Sequence, residues 1–167
     1  MVEAIDIQTL SGVGLASVIA RRSVGAAEVA GALGLAPAEG PRWSGGAGRT
    51  LIGVGPGAWL LLQETGGPDF IPGLRAALGK AAYVADQSGA YTLRRLSGPG
   101  AQPLLQRGVP VDLHPDAFPL GAAAVTVIAH IGAVLWRLEP PAGFGLAVFR
   151  SYAASFDHWL AQAAAAL

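Results

Sequence analysis

The chain has 167 residues, no cysteine, and 11 Lys and Arg against 11 Asp and Glu, a formal net charge of zero. Neutrality removes the broad electrostatic ground for expecting nucleic acid or an anionic membrane as partner, and the missing thiols exclude disulfides, thiolate metal sites and a cysteine nucleophile. Charged residues make up only 13% and hydrophobic ones 52%, against a usual charged share of about 25%; this is read equally as apolar surface kept for a partner subunit or as an alanine-rich composition that adds little stickiness.

Residues 1–14, with Ser11, Gly12 and Gly14 and no strong period, are expected as an arm or edge segment. Glu3 and Asp6 stand where a secretory signal would carry basic residues, and no apolar run reaches the ~18 residues of a membrane span, so an unexported, cytoplasmic protein is expected. Leu15 to Arg22 reads as a strand, followed by a helix that Ser23 is placed to cap and that stops at Gly34. Glu39 to Gly48 reads as a flexible loop; its glycine pair lacks the following Lys-Ser/Thr of a phosphate cradle. Arg49 to Gln63 reads as two strands bulged at Gly53–Gly57, because glycine supplies positive φ and Pro56 cannot donate to a ladder. Asp69 is placed to cap a helix with Phe70, Leu74, Ala77 and Leu78 on its apolar side.

The pattern then recurs. Tyr83 to Ser97 reads as extended, with Asp86-Gln87-Ser88-Gly89 as a bend, and Ser97-Gly98-Pro99-Gly100 starts a helix through Arg107. Residues 123–139 form two alternating runs, Phe144 to Phe149 a further strand, and Ser151 opens a helix with Tyr152, Phe156, Trp159, Leu160 and Ala163 at helical spacing. Each half reads as strand, helix, strand, strand, helix. The expectation is an α+β protein with mainly antiparallel sheets, one compact unit of half-repeats 15–80 and 81–167 behind an arm at 1–14.

Catalytic chemistry finds little support in the residues. His114, His130 and His158 are isolated, with no pair at a metal-ligand spacing. Asp86 and Ser88 share a strand face but lack a base, and their context is that of an Asx-type bend. Ser97 to Gly100 reads as a plain helix start, with anion binding through its N–H groups as the other reading; Arg94 and Arg95 point to opposite faces of a strand. The four tryptophans, Trp43, Trp59, Trp136 and Trp159, are anchors for a core or for a partner.

An ordered set of motifs runs through residues 50–160: Gly55-Pro56-x-x-Trp59-Leu60-Leu61, Asp86-Gln87-Ser88, Leu96-Ser97-Gly98-Pro99, Asp112-Leu113-His114-Pro115, Phe118, Gly121, Thr126, Arg150-Ser151-Tyr152-Ala153 and Trp159-Leu160. In this set the chain resembles the gamma subunits of heterotetrameric sarcosine oxidases, which are themselves similar to the folate-binding domain of glycine-cleavage T-protein-like enzymes. Gly57 and Ala58 depart from it, standing where that family has an acidic pair. The resemblance implies a T-protein-like fold and a noncatalytic structural subunit of a flavin-dependent oxidase that demethylates sarcosine to glycine. It implies Trp59, Asp86, Ser88, Gly98, Pro99, Asp112, His114, Pro115, Arg150 and Trp159 as motif residues of structural role, with no cofactor or metal held in this chain. FAD, FMN, NAD, tetrahydrofolate and zinc would belong to partner subunits, and the chain would pack against an alpha subunit and through it join beta and delta. The alternative is a free-standing folate-binding or one-carbon-transfer domain, for which Asp86, Asp112, Arg94 and Arg150 are the candidate ligands. A homo-oligomeric scaffold is the third reading.

Overall fold

The computed structural model describes residues 4–140 and 143–167; Glu3 lies outside them. In chain order the elements are β1 (Asp6–Leu10), β2 (Gly14–Ala20), α1 (Ala26–Ala32), β3 (Trp43–Gly46), β4 (Arg49–Gly55), β5 (Ala58–Gln63), α2 (Phe70–Leu78), β6 (Ala82–Asp86), β7 (Tyr91–Ser97), α3 (Ala101–Gln106), β8 (Ala123–Ile128), β9 (Ile131–Arg137), β10 (Phe144–Phe149) and α4 (Ala153–Ala165), the last preceded by a 3-10 turn at Arg150–Tyr152. They form two antiparallel five-stranded sheets, in the orders β6-β2-β5-β4-β3 and β1-β7-β10-β9-β8.

Written this way, the sheets match strand for strand. The module β2-α1-β3-β4-β5-α2 corresponds to β7-α3-β8-β9-β10-α4. The fifth strand differs in origin: β6 follows α2 in the chain, whereas its counterpart β1 comes from the N-terminus. The chain accordingly divides into one unit of Ser11–Gly89 and another of the described residues up to Leu10 with Ala90–Leu167. This division replaces the expected 15–80 and 81–167 halves of a single unit, because Ala82–Asp86 pairs with β2 of the first sheet, and the expected arm supplies an edge strand to the second.

Each unit buries a core between its sheet and its two helices. In the first, Val29, Ala30 and Leu33 of the α1 region and Phe70, Leu74 and Leu78 of α2 close on Ala16, Val18, Leu51, Trp59 and Leu61. In the second, Leu104 and Leu105 of α3 and Phe156, Leu160 and Ala163 of α4 close on Leu96, Ile128, Leu135, Phe144, Leu146 and Val148. Spacings of three and four residues put these helical side chains on one stripe, and each buried Leu or Phe contributes about 1.5–3 kcal/mol. β5 and β10 are buried along nearly their whole length, which is why AWLLLQ and FGLAVF read as continuous apolar runs.

Local expectations are corrected at several points. Ser23 does not cap α1: it sits in a turn with φ of 69°, and Gly25 holds the N-cap position. Asp69 holds the N-cap position of α2 but makes no side-chain cap hydrogen bond, and Ala77 is exposed. The expected loop at Glu39–Gly48 contains β3, whose Trp43–Gly46 pairs with Arg49–Ile52. Tyr152 lies in the 3-10 turn, exposed, off the apolar stripe of α4. Pro103 falls in the first turn of α3, where its missing N–H costs nothing.

Candidate functional site

In the Ser11–Gly89 unit the motif residues hold turns and core. Trp59 of β5 is buried, and its indole Nε1 donates to the Ala38 carbonyl at 2.7 Å, pinning the segment that follows α1. Asp86 ends β6 and accepts the Ser88 N–H at 2.9 Å, closing an Asx turn. The Ser88 Oγ accepts the Leu15 N–H at 3.0 Å and donates to the Leu15 carbonyl at 3.3 Å, while the Gln87 N–H bonds that same carbonyl at 2.8 Å. The hydrogen bonds from the backbone and side chain of Ser88, with a lesser pull from Arg75, hold the Asp86 carboxyl below its ordinary pKa.

In the other unit the pattern repeats. Gly98 has φ of 91°, and a Cβ there would stand 2.5 Å from the Ala4 carbonyl oxygen, so only glycine fits the turn before Pro99. That carbonyl takes the Gly100 N–H at 3.1 Å, so the start of the short helix α3 is occupied by the chain itself. Asp112 accepts the His114 N–H at 2.8 Å, and the His114 carbonyl takes the N–H groups of Ala117 and Phe118. His114 Nδ1 faces Asp116 Oδ2 at 3.5 Å on the surface, and Pro115 is exposed beside it. The Arg150 N–H bonds the Ala90 carbonyl at 2.8 Å and its Nη2 reaches the Tyr91 carbonyl at 3.3 Å. Trp159 is half-buried and tilts against Phe156, and its ring fills the space over Gly108.

Three features lay outside the sequence reading. Arg94 is buried and bidentate with Asp157 of α4, 63 residues away. Arg137, at the end of β9, bonds the Leu113 carbonyl and Gln102 Oε1, its guanidinium 4.7 Å from the centroid of the Phe144 ring; burial lowers its pKa. It lines an open cleft of about 390 Å³ with Gly98, Gln102 and Phe144. Tyr91 stacks on Phe149 across β7 and β10 at 4.6 Å between centroids. Charged residues at the ends of apolar runs were the available signal, but not their partners.

Of the four side chains considered for folate, both carboxylates accept an Asx-turn hydrogen bond and Arg94 is paired with Asp157. Among the described residues no group of three or more His, Asp or Glu is placed to hold a metal, and no helix is long and apolar enough to cross a membrane. What the fold defines is a duplicated α+β protein, with Asp86, Ser88 and Asp112 bonded within its own turns.

Residues 19–166 match the sarcosine oxidase, gamma subunit family, and the chain belongs to that family. It is 34% identical over 145 residues to the gamma subunit of sarcosine oxidase from Arthrobacter sp., covering 84% of this chain and 70% of that one. Against the gamma subunits from Corynebacterium sp. strains U-96 and P-1 the identities are 32% over 144 residues and 33% over 117, covering 84% and 70% of this chain. The chain spans 57% of the strain P-1 protein and 69% of the strain U-96 protein. A chain of the heterotetrameric sarcosine oxidase from Corynebacterium sp. U-96, solved in complex with pyrrole 2-carboxylate, superposes with a TM-score of 0.87 at 28% identity, covering 99% of this chain and 86% of that one. Glycine cleavage system aminomethyltransferase T from Bartonella henselae gives 0.68 at 17% identity, over 93% of this chain and 45% of that one, a likeness of fold.

Proposed function

We propose that this chain is the noncatalytic gamma subunit of a heterotetrameric, flavin-dependent sarcosine oxidase, which demethylates sarcosine oxidatively to glycine in the cytoplasm. Its role is structural: it packs against the alpha subunit and through it joins beta and delta, while FAD, FMN, NAD, tetrahydrofolate and zinc are carried by those partners. The observation that carries this reading is the superposition of nearly the whole chain on a chain of the solved heterotetramer, at a TM-score of 0.87. The geometry supports a structural role as well, since the motif residues are engaged in turns and core.

The test is affinity purification of the tagged chain from its host grown on sarcosine, recording the flavin spectrum and sarcosine-dependent peroxide formation of the eluate. Larger subunits, flavin absorbance and activity arriving together are expected. A colourless, inactive eluate of this chain alone contradicts the proposal.

A further inference from the structure

The second sheet ends at β8, and the geometry points to this edge as the place where an extended strand of another subunit adds to the sheet; the inference rests on the assembly proposed above. β8 and β9 are joined by Ala129 and His130, with φ of 48° and 69°, and Ile128 stands opposite Ile131. A two-residue turn of this kind makes its flanking pair hydrogen-bonded, and the parity then alternates along the ladder. Thr126 and Ala124 therefore bond to β9, and the Arg137 N–H on the Ala122 carbonyl at 3.0 Å continues the series. The N–H and C=O groups of Val125 and Val127 point the other way, to the side where the sheet has no further strand. Their side chains are 61% and 41% exposed.

The other three edge strands carry the devices that keep edges from pairing. β1 bears exposed Asp6 and Gln8, bonded to each other at 2.7 Å. β3 has four residues and ends in two glycines. β6 ends in Asp86, and its Val84 carbonyl receives Arg75 Nη2 at 3.4 Å. β8, AAVTVI, has no charge, proline or glycine, and four of its 6 residues, Val125, Thr126, Val127 and Ile128, are β-branched. Outward amide and carbonyl groups in strand register are met by an extended main chain, and the neutral valine face selects an uncharged segment with small or β-branched side chains beside it. The source is taken to be a different subunit of the heteromeric assembly proposed above, and the second copy is the competing occupant.

Hydrogen exchange is compared between the isolated full chain and the complex purified through it. The Val125 and Val127 amides should exchange fast in the isolated chain and about 100-fold more slowly in the complex, with Ala124 and Thr126 slow in both. Val125→Pro removes an outward donor while sparing the β9 ladder, and Val125→Lys keeps the amide but adds a guarding charge. Either should cut recovery of the other subunits about tenfold with little change in the melting temperature of the isolated chain. Equal exchange in both states, or normal assembly of both variants, overturns the inference. So does a Val125→Cys chain that crosslinks to a second copy within the complex. If the unsubstituted chain recovers no other subunit, the assembly reading fails first and this inference with it, so the unsubstituted control separates the two failures.

Discussion

Arg94 of β7 and Asp157 of α4 form a bidentate ion pair, Nε to Oδ1 at 3.0 Å and Nη2 to Oδ2 at 2.7 Å, with the arginine side chain 6% exposed and the aspartate 49%. It ties α4 to β7, and Arg94 Nη1 also donates to the Leu93 carbonyl at 3.0 Å. The value of such a pair lies less in its attraction than in what its loss leaves behind, a buried guanidinium without its partner. Asp157→Ala is expected to destabilise the protein by about 1–3 kcal/mol, below the full cost of a buried break because water reaches the carboxylate side, and Asp157→Asn by less. Chemical denaturation of the two variants checks the order.

Trp159 is expected to be an anchor of its own unit. Its ring lies where a Cβ on Gly108 would stand 2.5 Å from Cζ2. Trp159→Ala removes a half-buried ring and should cost about 2–4 kcal/mol, and Gly108→Ala should destabilise as well by forcing the ring aside. Calorimetry of the isolated chain decides: an unchanged melting temperature for Trp159→Ala refutes the anchor role.

Ser88→Ala should loosen the end of β2 without unfolding the unit. The Leu15 N–H loses its 3.0 Å acceptor, a loss of about 1–2 kcal/mol. The Leu15 amide should then exchange faster than in the unsubstituted chain, while amides at the centre of β5 stay protected.

Acid should weaken the same turn. The Asp86 carboxyl has its pKa lowered in the folded chain, first by the Ser88 backbone N–H, from an ordinary 3.8. A depressed carboxyl binds fewer protons folded than unfolded, so its contribution is complete above the unfolded value and is lost as pH falls through the folded one. The stability difference between the unsubstituted chain and Asp86→Asn should therefore be constant near neutrality and shrink below pH 3.8. Asp86 is exposed, so the effect is small; a difference that grows in acid contradicts the assignment.

How far the sequence was legible follows from which interactions are local. The β4–β5 bulge between Gly53 and Gly55, the bend at Asp86 and the Phe156–Leu160–Ala163 stripe are set within a few residues, and the pattern predicts them. β3 was missed because Trp43-Ser44-Gly45-Gly46 has little strand propensity of its own; pairing with β4 makes it a strand. The unit boundary at Gly89 was missed because it depends on β6 returning to β2 and β1 reaching β7, both pairings between distant segments. At the candidate site the Asx roles of Asp86 and Asp112 were within reach of a local reading for the same reason. Arg94–Asp157 and Arg137–Leu113 were not, since no spacing in the chain announces them.

The native mass of the complex recovered through a tag on this chain, from cells grown on sarcosine, tests the assembly directly. Four different chains, this one present once, with sarcosine-dependent peroxide formation, is the result predicted. A species made only of this chain, as monomer or homo-oligomer, contradicts it.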